Sequence, residues 1–347
     1  MSEDSTAGPR SGAGGDPVLP QHPDVALWRT ATREDIDAIH GVFAAADAVD
    51  HPSWITPREE VADTFDLPHI DHARDTLIGF SEDGRAIAAG SAFLHPSRSE
   101  KLSVHLAGSV HPAWRRRGIG RELFAWQNAR AERQVAEAAE AAAGAETLPV
   151  ELKTYAEAVN VGHQALAAAF GFTAERWFAT MVRPRSEVPA VAAPQGVEVV
   201  AYTSDRQEDA REARNDAFRD HWGSLPSTTE GWAKFVGSEF FRGDLSRLVV
   251  DGEGRILAFC LITVNHDDWE ARGRSNAYID LIGVVRDRRR QGLAPLVIAH
   301  ALQAIADADI DEAILDVDTA SSTGANTLYE GLGFVAEERS VALVRRP

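Results

Sequence analysis

The chain has 347 residues, 35 Lys plus Arg against 53 Asp plus Glu, a formal charge of −18 and 44% hydrophobic residues. That length and apolar content suffice for two globular domains and exclude wholesale disorder. So acidic a chain excludes a dedicated nucleic-acid binder acting through its overall field, and the single cysteine, Cys260, excludes an internal disulfide.

In chain order, residues 1–24 are rich in Gly, Ser and Pro and read as a disordered tail. They hold no apolar core of a signal peptide, and no run of about 18 apolar residues occurs anywhere, so a cytoplasmic protein without a membrane partner is expected. From residue 25 the chain repeats itself. A charged turn ends in Gly84-Arg85 and again in Gly254-Arg255. An Arg-rich turn reads Arg115-Arg-Arg-Gly-Ile-Gly120 and again Arg289-Arg-Gln-Gly-Leu-Ala294, and Phe170-Gly-Phe172 is answered by Leu332-Gly-Phe334. The spacing between the second and third landmarks is longer in the first copy, which places a helix extension with a loop in the Ala/Glu-rich stretch 131–146. Three prolines between 183 and 196 break any regular element. The reading is therefore a first domain over 25–184, a linker over 185–196 and a second domain over 197–347.

Each copy opens with a strand and helix (32–47; 197–222) and a further helical stretch. Two strands follow around the Gly-Arg turn, then a third strand runs into the Arg-rich turn. After a helix come another strand (150–154; 313–318), a short helix and closing strands. Tyr278-Ile-Asp-Leu-Ile-Gly-Val-Val285 is the clearest strand, and Ile256-Leu-Ala-Phe-Cys-Leu-Ile262 reads as a buried one that Cys260 helps to fill. Strands alternating with helices predict an α/β fold, each domain a mixed sheet flanked by helices.

The chemistry sits at the strand–Arg/Gln-x-x-Gly-x-Gly/Ala–helix passages. Amides at a helix start are unpaired and carry the positive end of its dipole, and glycine removes the side chain that would block a ligand. Such a turn suits a pyrophosphate. Neither copy has the Gly-Lys-Ser/Thr of a Walker loop or the Gly-x-Gly-x-x-Gly of a dinucleotide fold. A solvated turn that happens to hold glycine is the alternative, and recurrence in matched context weighs against it.

On these motifs the sequence resembles the GNAT superfamily of acetyl-CoA-dependent N-acetyltransferases, over both halves and best from Tyr278 to Phe334. The resemblance implies tandem domains with mostly antiparallel sheets. It also implies a strand splayed to pair with the pantetheine arm of acetyl-CoA, which acts as co-substrate. Ile282, Gly283 and Val284 would line that arm, and Arg289, Arg290, Gln291, Gly292, Leu293 and Ala294 would cradle the diphosphate. In the first copy the matching positions are Gly108, Ser109 and Val110, then Arg115, Arg116, Arg117, Gly118, Ile119 and Gly120.

The family's Asn-x-x-Ala-x-x-Leu-Tyr signature supplies a tyrosine that protonates the departing thiolate. It is met by Ser322-Thr-Gly-Ala-Asn-Thr-Leu-Tyr329, in which Tyr329 takes that role. Ser322 replaces the Asn, and Asn326, one helical turn before Tyr329, is expected to share its face and bind the cofactor instead. In the first copy Asn160 and Leu166 match but Ala167 stands where the tyrosine should be. The first domain is accordingly read as degenerate and the second as catalytic.

Attack by an amine requires its neutral form. Asp280, which interrupts an apolar strand two residues before Ile282, is the candidate base, with a partner to a nearby arginine as the alternative. A bulge near Val284 would turn its N–H toward the acyl oxygen. The loop Asp220-His221-Trp222-Gly223 is a candidate acceptor site in which His221 orients the amine and Trp222 forms a wall; equally, Trp222 joins Trp232 and Phe235 in a core cluster. No histidine has metal-ligand spacing, so no metal is expected. The tandem arrangement resembles that of enzymes acetylating the cysteinyl amine of a glycosylated thiol precursor. The expected partner is a small-molecule amine bound by a monomer or homodimer, and the rival from another class is a CoA-binding regulatory module without turnover.

Overall fold

The computed structural model describes residues 17–142, 148–320 and 324–347. Among the described residues, those from 17–49, 56–154 and 344–347 form one compact unit and those from 50–55 and 155–343 a second. The fold is α/β, with mostly antiparallel sheets flanked by helices.

The first unit runs β1 (Leu27–Arg29), α1 (Ile36–Asp50), α2 (Arg58–Thr64), α3 (His72–Asp75), β2 (Thr76–Phe80), β3 (Ala86–Leu94), β4 (Leu102–Val110), α4 (Ile119–Ala141) and β5 (Val150–Glu157). Strands β1 to β4 are antiparallel neighbours, and β5 lies parallel to β4. Helix α4 has 23 residues, against 15 for its counterpart in the second copy, so the predicted extension is present. The loop predicted beyond it falls largely on residues 143–147, outside the described ones.

Residues 17–24 do not behave as the expected tail. His22 forms a β-bridge with Val25, and its Nε2–H donates to the Arg117 carbonyl at 2.8 Å, because an imidazole between two backbone partners anchors the segment. Residues 1–16 lie outside the described ones.

The second unit contains α5 (Val161–Ala169), β6 (Thr173–Pro184), β7 (Val197–Ala201), α6 (Gln207–Ala217), α7 (Thr229–Gly237), β8 (Arg247–Asp251) and β9 (Ile256–Thr263). It continues through α8 (Asp267–Arg272), β10 (Asn276–Val284), α9 (Leu293–Asp307), β11 (Glu312–Asp318), α10 (Ala325–Gly331) and β12 (Val335–Arg345). Its strands follow the order β12-β6-β11-β10-β9-β8-β7. Strand β6, which precedes the proline-rich segment in sequence, pairs antiparallel with β11 from Glu312↔Pro184 to Asp318↔Phe178. It is therefore part of the second unit's sheet.

Central strand β9 is covered on both faces, which is why it reads as a continuous apolar run rather than an alternating one. Ala258, Cys260 and Ile262 pack in the cluster that includes Leu296, Val297, Ala301 and Leu302 of α9, while Phe259 and Leu261 pack with Ala210 and Ala213 of α6. The α9 residues recur at helical spacing and bury one face on the sheet. On the other side Gly283 is required by crowding: a Cβ there would stand 2.3 Å from Phe259 Cζ and 3.0 Å from Ala217 Cβ.

Candidate active site

Strand β10 pairs with parallel β11 only from Asn276↔Glu312 to Tyr278↔Ile314. Beyond that β10 stays with β9 as far as Val284↔Ala258, while β11 stays with β6 to Asp318. The two strands splay, and the β10 edge facing the gap offers backbone groups to an extended ligand. The same happens in the first unit, where β4 and β5 pair only from Leu102↔Val150 to His105↔Lys153.

Where β10 ends, Arg286–Arg288 form a 3-10 turn, Arg289 is extended, Arg290 has φ 61° and Gly292 has φ 77° as the N-cap of α9. The amides of Leu293 and Ala294 sit in the first turn, where no intrahelical carbonyl reaches them, and Pro295 has none to offer. Leu296 is the first to bond back, to the Gly292 carbonyl at 3.4 Å. Nothing lies within 4 Å of a Cβ built on Gly292. Arg289 is turned aside, donating to the Ala217 carbonyl at 2.8 Å and to Asp220 at 3.1 Å. Arg290 makes no ion pair among the described residues, so its charge remains for a ligand. These features fit the diphosphate of a nucleotide-type ligand: a concave run of amides, a cation and no obstructing side chain.

The first unit repeats the backbone, with Arg116 at φ 64° and Gly118 at φ 99° before α4. Here the concavity has a neighbour: His22 Nε2 lies 3.3 Å from a Cβ built on Gly118. Arg115 donates to the Val110 carbonyl at 3.0 Å, and Arg117 stacks on Trp114 at 4.8 Å. Ala167, at the position lacking a tyrosine, is fully buried in α5.

Tyr329 on α10 is 9% exposed in the α9-side cluster, with its ring edge-on to Phe334 at 6.0 Å. Ile282 and Val284 pack on the same cluster. Burial and then the neighbouring Cys260, the residue paired with Ile282, push the phenol's pKa up. The hydroxyl therefore stays protonated and makes no hydrogen bond among the described residues. Asn326 does not turn its amide to the cradle. Its Nδ2 donates to the Asp318 carbonyl at 3.3 Å, tying α10 to the end of β11. Ser322 lies outside the described residues.

Asp280 is exposed at a register shift between Ile279 and Leu281, so the extra residue of β10 is Asp280 itself. The bulge expected near Val284 is not there, since Gly283 and Val284 keep regular pairing with Phe259 and Ala258. Thr263 Oγ1 donates to Asp280 at 2.5 Å. Beside it, Tyr278 donates to Asp316 at 2.9 Å, and Thr180 donates to the other oxygen of Asp316 at 2.6 Å.

His221 and Trp222 follow α6. Burial lowers the His221 pKa and outweighs nearby Asp318, keeping the ring neutral, and its Nδ1 shares a hydrogen bond with Ser224 Oγ at 3.1 Å. Trp222 stands against Phe178 at 6.2 Å, with the Arg176 guanidinium 5.6 Å from its ring. It is separate from Trp232, which is buried with Phe235 beside it and donates to the Gln207 carbonyl. Sequence reasoning misses Arg176, Phe178 and Thr180, because β6 precedes the proline-rich segment and so reads as part of the first copy. It also misses Glu157, whose carboxyl is pushed up to about 7, chiefly by burial.

The pattern of the Acetyltransferase (GNAT) family matches residues 207–334. The mycothiol acetyltransferase of Salinispora arenicola is 30% identical over 251 residues, covering 72% of this chain and 75% of the relative. Among solved structures, a GCN5-related N-acetyltransferase from Sphaerobacter thermophilus superposes with a TM-score of 0.68 at 25% identity, over 92% of this chain and 96% of that one. A tandem GNAT protein from the clavulanic acid biosynthesis pathway shares the fold, with a TM-score of 0.66 at 16% identity over 92% and 98% of the two chains.

Proposed function

The chain is an N-acetyltransferase belonging to the GNAT family, and from that premise we propose that its second unit transfers the acetyl group of acetyl-CoA to a primary amine of a small molecule by direct attack. One observation carries the reading: an open amide cradle at 290–294, a strand splayed from its neighbour and a protonated tyrosine against that strand all meet in one unit. When bound, acetyl-CoA supplies the activated acyl group.

In this reading the amides from Gly292 to Ala294, with Arg290, hold the diphosphate, and the free edge of β10 at Ile282–Val284 orients the pantetheine arm. Asp280, with its carboxylate fixed by Thr263, takes the proton from the ammonium form of the acceptor. Tyr329 donates a hydrogen bond to the departing sulfur. Neutral His221 and the Trp222 wall bound the acceptor side. The first unit keeps a cradle without a tyrosine and serves no chemical step.

The name of the Salinispora relative favours an acceptor related to mycothiol, with a cysteinyl amine as the nucleophile. A regulatory module that binds CoA without turnover would leave Tyr329 without a use. Calorimetry with CoA, followed by thiol-release assays over a panel of amines, tests the choice. The transferase reading requires thiol release with at least one amine, and binding without release from any of them refutes it.

A further inference from the structure

Residues 50–55 are a strap that clusters with the second unit although the helix before them, α1, lies in the first. One end of the strap is tied beyond β9: the Ile55 N–H donates to Asp268 at 2.8 Å, and Asn265 donates to the Ile55 carbonyl at 3.3 Å. The other end is tied to β12 and to the N-cap of α5, where Ser53 donates to Glu338 at 2.8 Å and Asn160 donates to Asp50 at 3.1 Å. In the order β12-β6-β11-β10-β9, the strands between these anchors carry Thr180, Asp316 and Asp280. Within the strap His51 stacks on Trp54 at 3.8 Å and 5°, fixed by the His51 Nδ1–H donating to the Trp54 carbonyl at 3.3 Å, while the Trp54 side of the pair stays 40% exposed.

Three acidic side chains near this stack, Glu157, Asp316 and Glu338, have no cation paired with them among the described residues. Glu157 lies within the electrostatic field of His51, Glu338, Asp316 and Asp50. Asp316 is held by the hydroxyls of Tyr278 and Thr180 and Glu338 by that of Ser53. The cations nearby are otherwise engaged. Arg272 pairs with Glu312 and Glu337, and Arg176 sits over Trp222 with Asp318 at 3.9 Å. An exposed aromatic face beside uncompensated carboxylates attracts an amine and repels an anion.

We propose that the strap is the outer wall of the acceptor site, with Trp54 packing on the body of the acceptor and Glu157, Asp316 and Glu338 selecting amines that carry no carboxylate or phosphate. The assignment rests on the transferase reading for its acceptor, but its test does not depend on turnover.

The test titrates the full-length, CoA-saturated protein calorimetrically at pH 8, where Glu157 with its carboxyl at about 7 is ionised, using cysteinamide and cysteine, a pair that differs in one carboxylate. The amide binds at least about tenfold more tightly. In Glu157→Gln that ratio shrinks, and in Trp54→Ala the amide binds about tenfold more weakly while CoA affinity is unchanged. Both substitutions alter side chains that are not fully buried, and melting curves confirm that the variants are folded. Failure of the amide to bind, equal binding of acid and amide, or wild-type behaviour in both variants overturns the proposal. Absence of thiol release from every amine refutes the transferase reading alone and leaves these titrations to judge the strap.

Discussion

Tyr329→Phe isolates one hydroxyl. The ring keeps its place in the α9-side cluster, against Phe334, and the lost oxygen has no hydrogen-bond partner among the described residues, so stability changes by less than about 1 kcal/mol. The catalytic loss follows from the acidities. A phenol near 10 and a thiol near 8.5 differ by about 1.5 pKa units, so complete proton transfer to the sulfur is uphill by about 2 kcal/mol. Burial of Tyr329 raises that gap further. The hydroxyl consequently acts as a hydrogen-bond donor to developing charge, an interaction of about 1.5–3 kcal/mol, which converts to a fall in kcat of roughly 10- to 150-fold. The assay is steady-state thiol release at saturating acetyl-CoA and amine, with acetyl-CoA affinity measured separately and expected to stay within about twofold. An unchanged kcat refutes the role. A kcat for the wild type that declines steeply well below pH 10 refutes the protonation argument, because the phenol would then be ionising where burial forbids it.

Three further perturbations probe other parts of the site. Gly292→Val puts a β-branched residue at φ 77°, costing about 1–2 kcal/mol in backbone strain; its Cβ enters the space over the cradle, so the acetyl-CoA KM rises at least about tenfold. Asp280→Asn keeps an acceptor for Thr263 but removes the base, so kcat/KM for the amine falls by about 10² or more; a kcat/KM equal to wild type assigns the base elsewhere. Glu157→Gln is read by thermal melts at pH 5 and pH 8. The folded state raises the Glu157 carboxyl from 4.5 to about 7 by burial, with Glu338, Asp316 and Asp50 adding and His51 opposing. The folded chain thus holds a proton that the unfolded chain releases, and wild-type stability declines as pH rises from 4.5 through 7. The glutamine variant gains on wild type at pH 8 relative to pH 5, and a pH-independent difference contradicts that environment.

What the sequence disclosed was local. Gly292 and Gly118 mark left-handed caps because few other residues take those angles cheaply, and the repeated spacing exposed the second cradle as soon as the first was seen. Tyr329 was legible from its distance to Gly333 and Phe334, and its ring is buried in the cluster on which Ile282 and Val284 pack. Non-local facts were hidden. The alternation within Thr173–Pro184 fixes which residues share a face but not which strand is the neighbour, so Arg176, Phe178 and Thr180 were assigned to the wrong side of the linker. Asp280 was visible as a charge in an apolar strand, whereas the bulge it occupies depends on the register with β9. Glu157 and the strap gain meaning only from partners more than a hundred residues away, such as Ser53 with Glu338.

Because β6 lies between β12 and β11, a gene fragment beginning at the proline-rich segment would encode a sheet with its middle missing. From Glu312 to Asp318 the backbone of β11 would lose its antiparallel neighbour and present a bare, largely apolar edge, the kind that recruits other chains into aggregates. The second unit therefore cannot be excised at the proline-rich segment, because one strand of its sheet lies on the other side of that boundary.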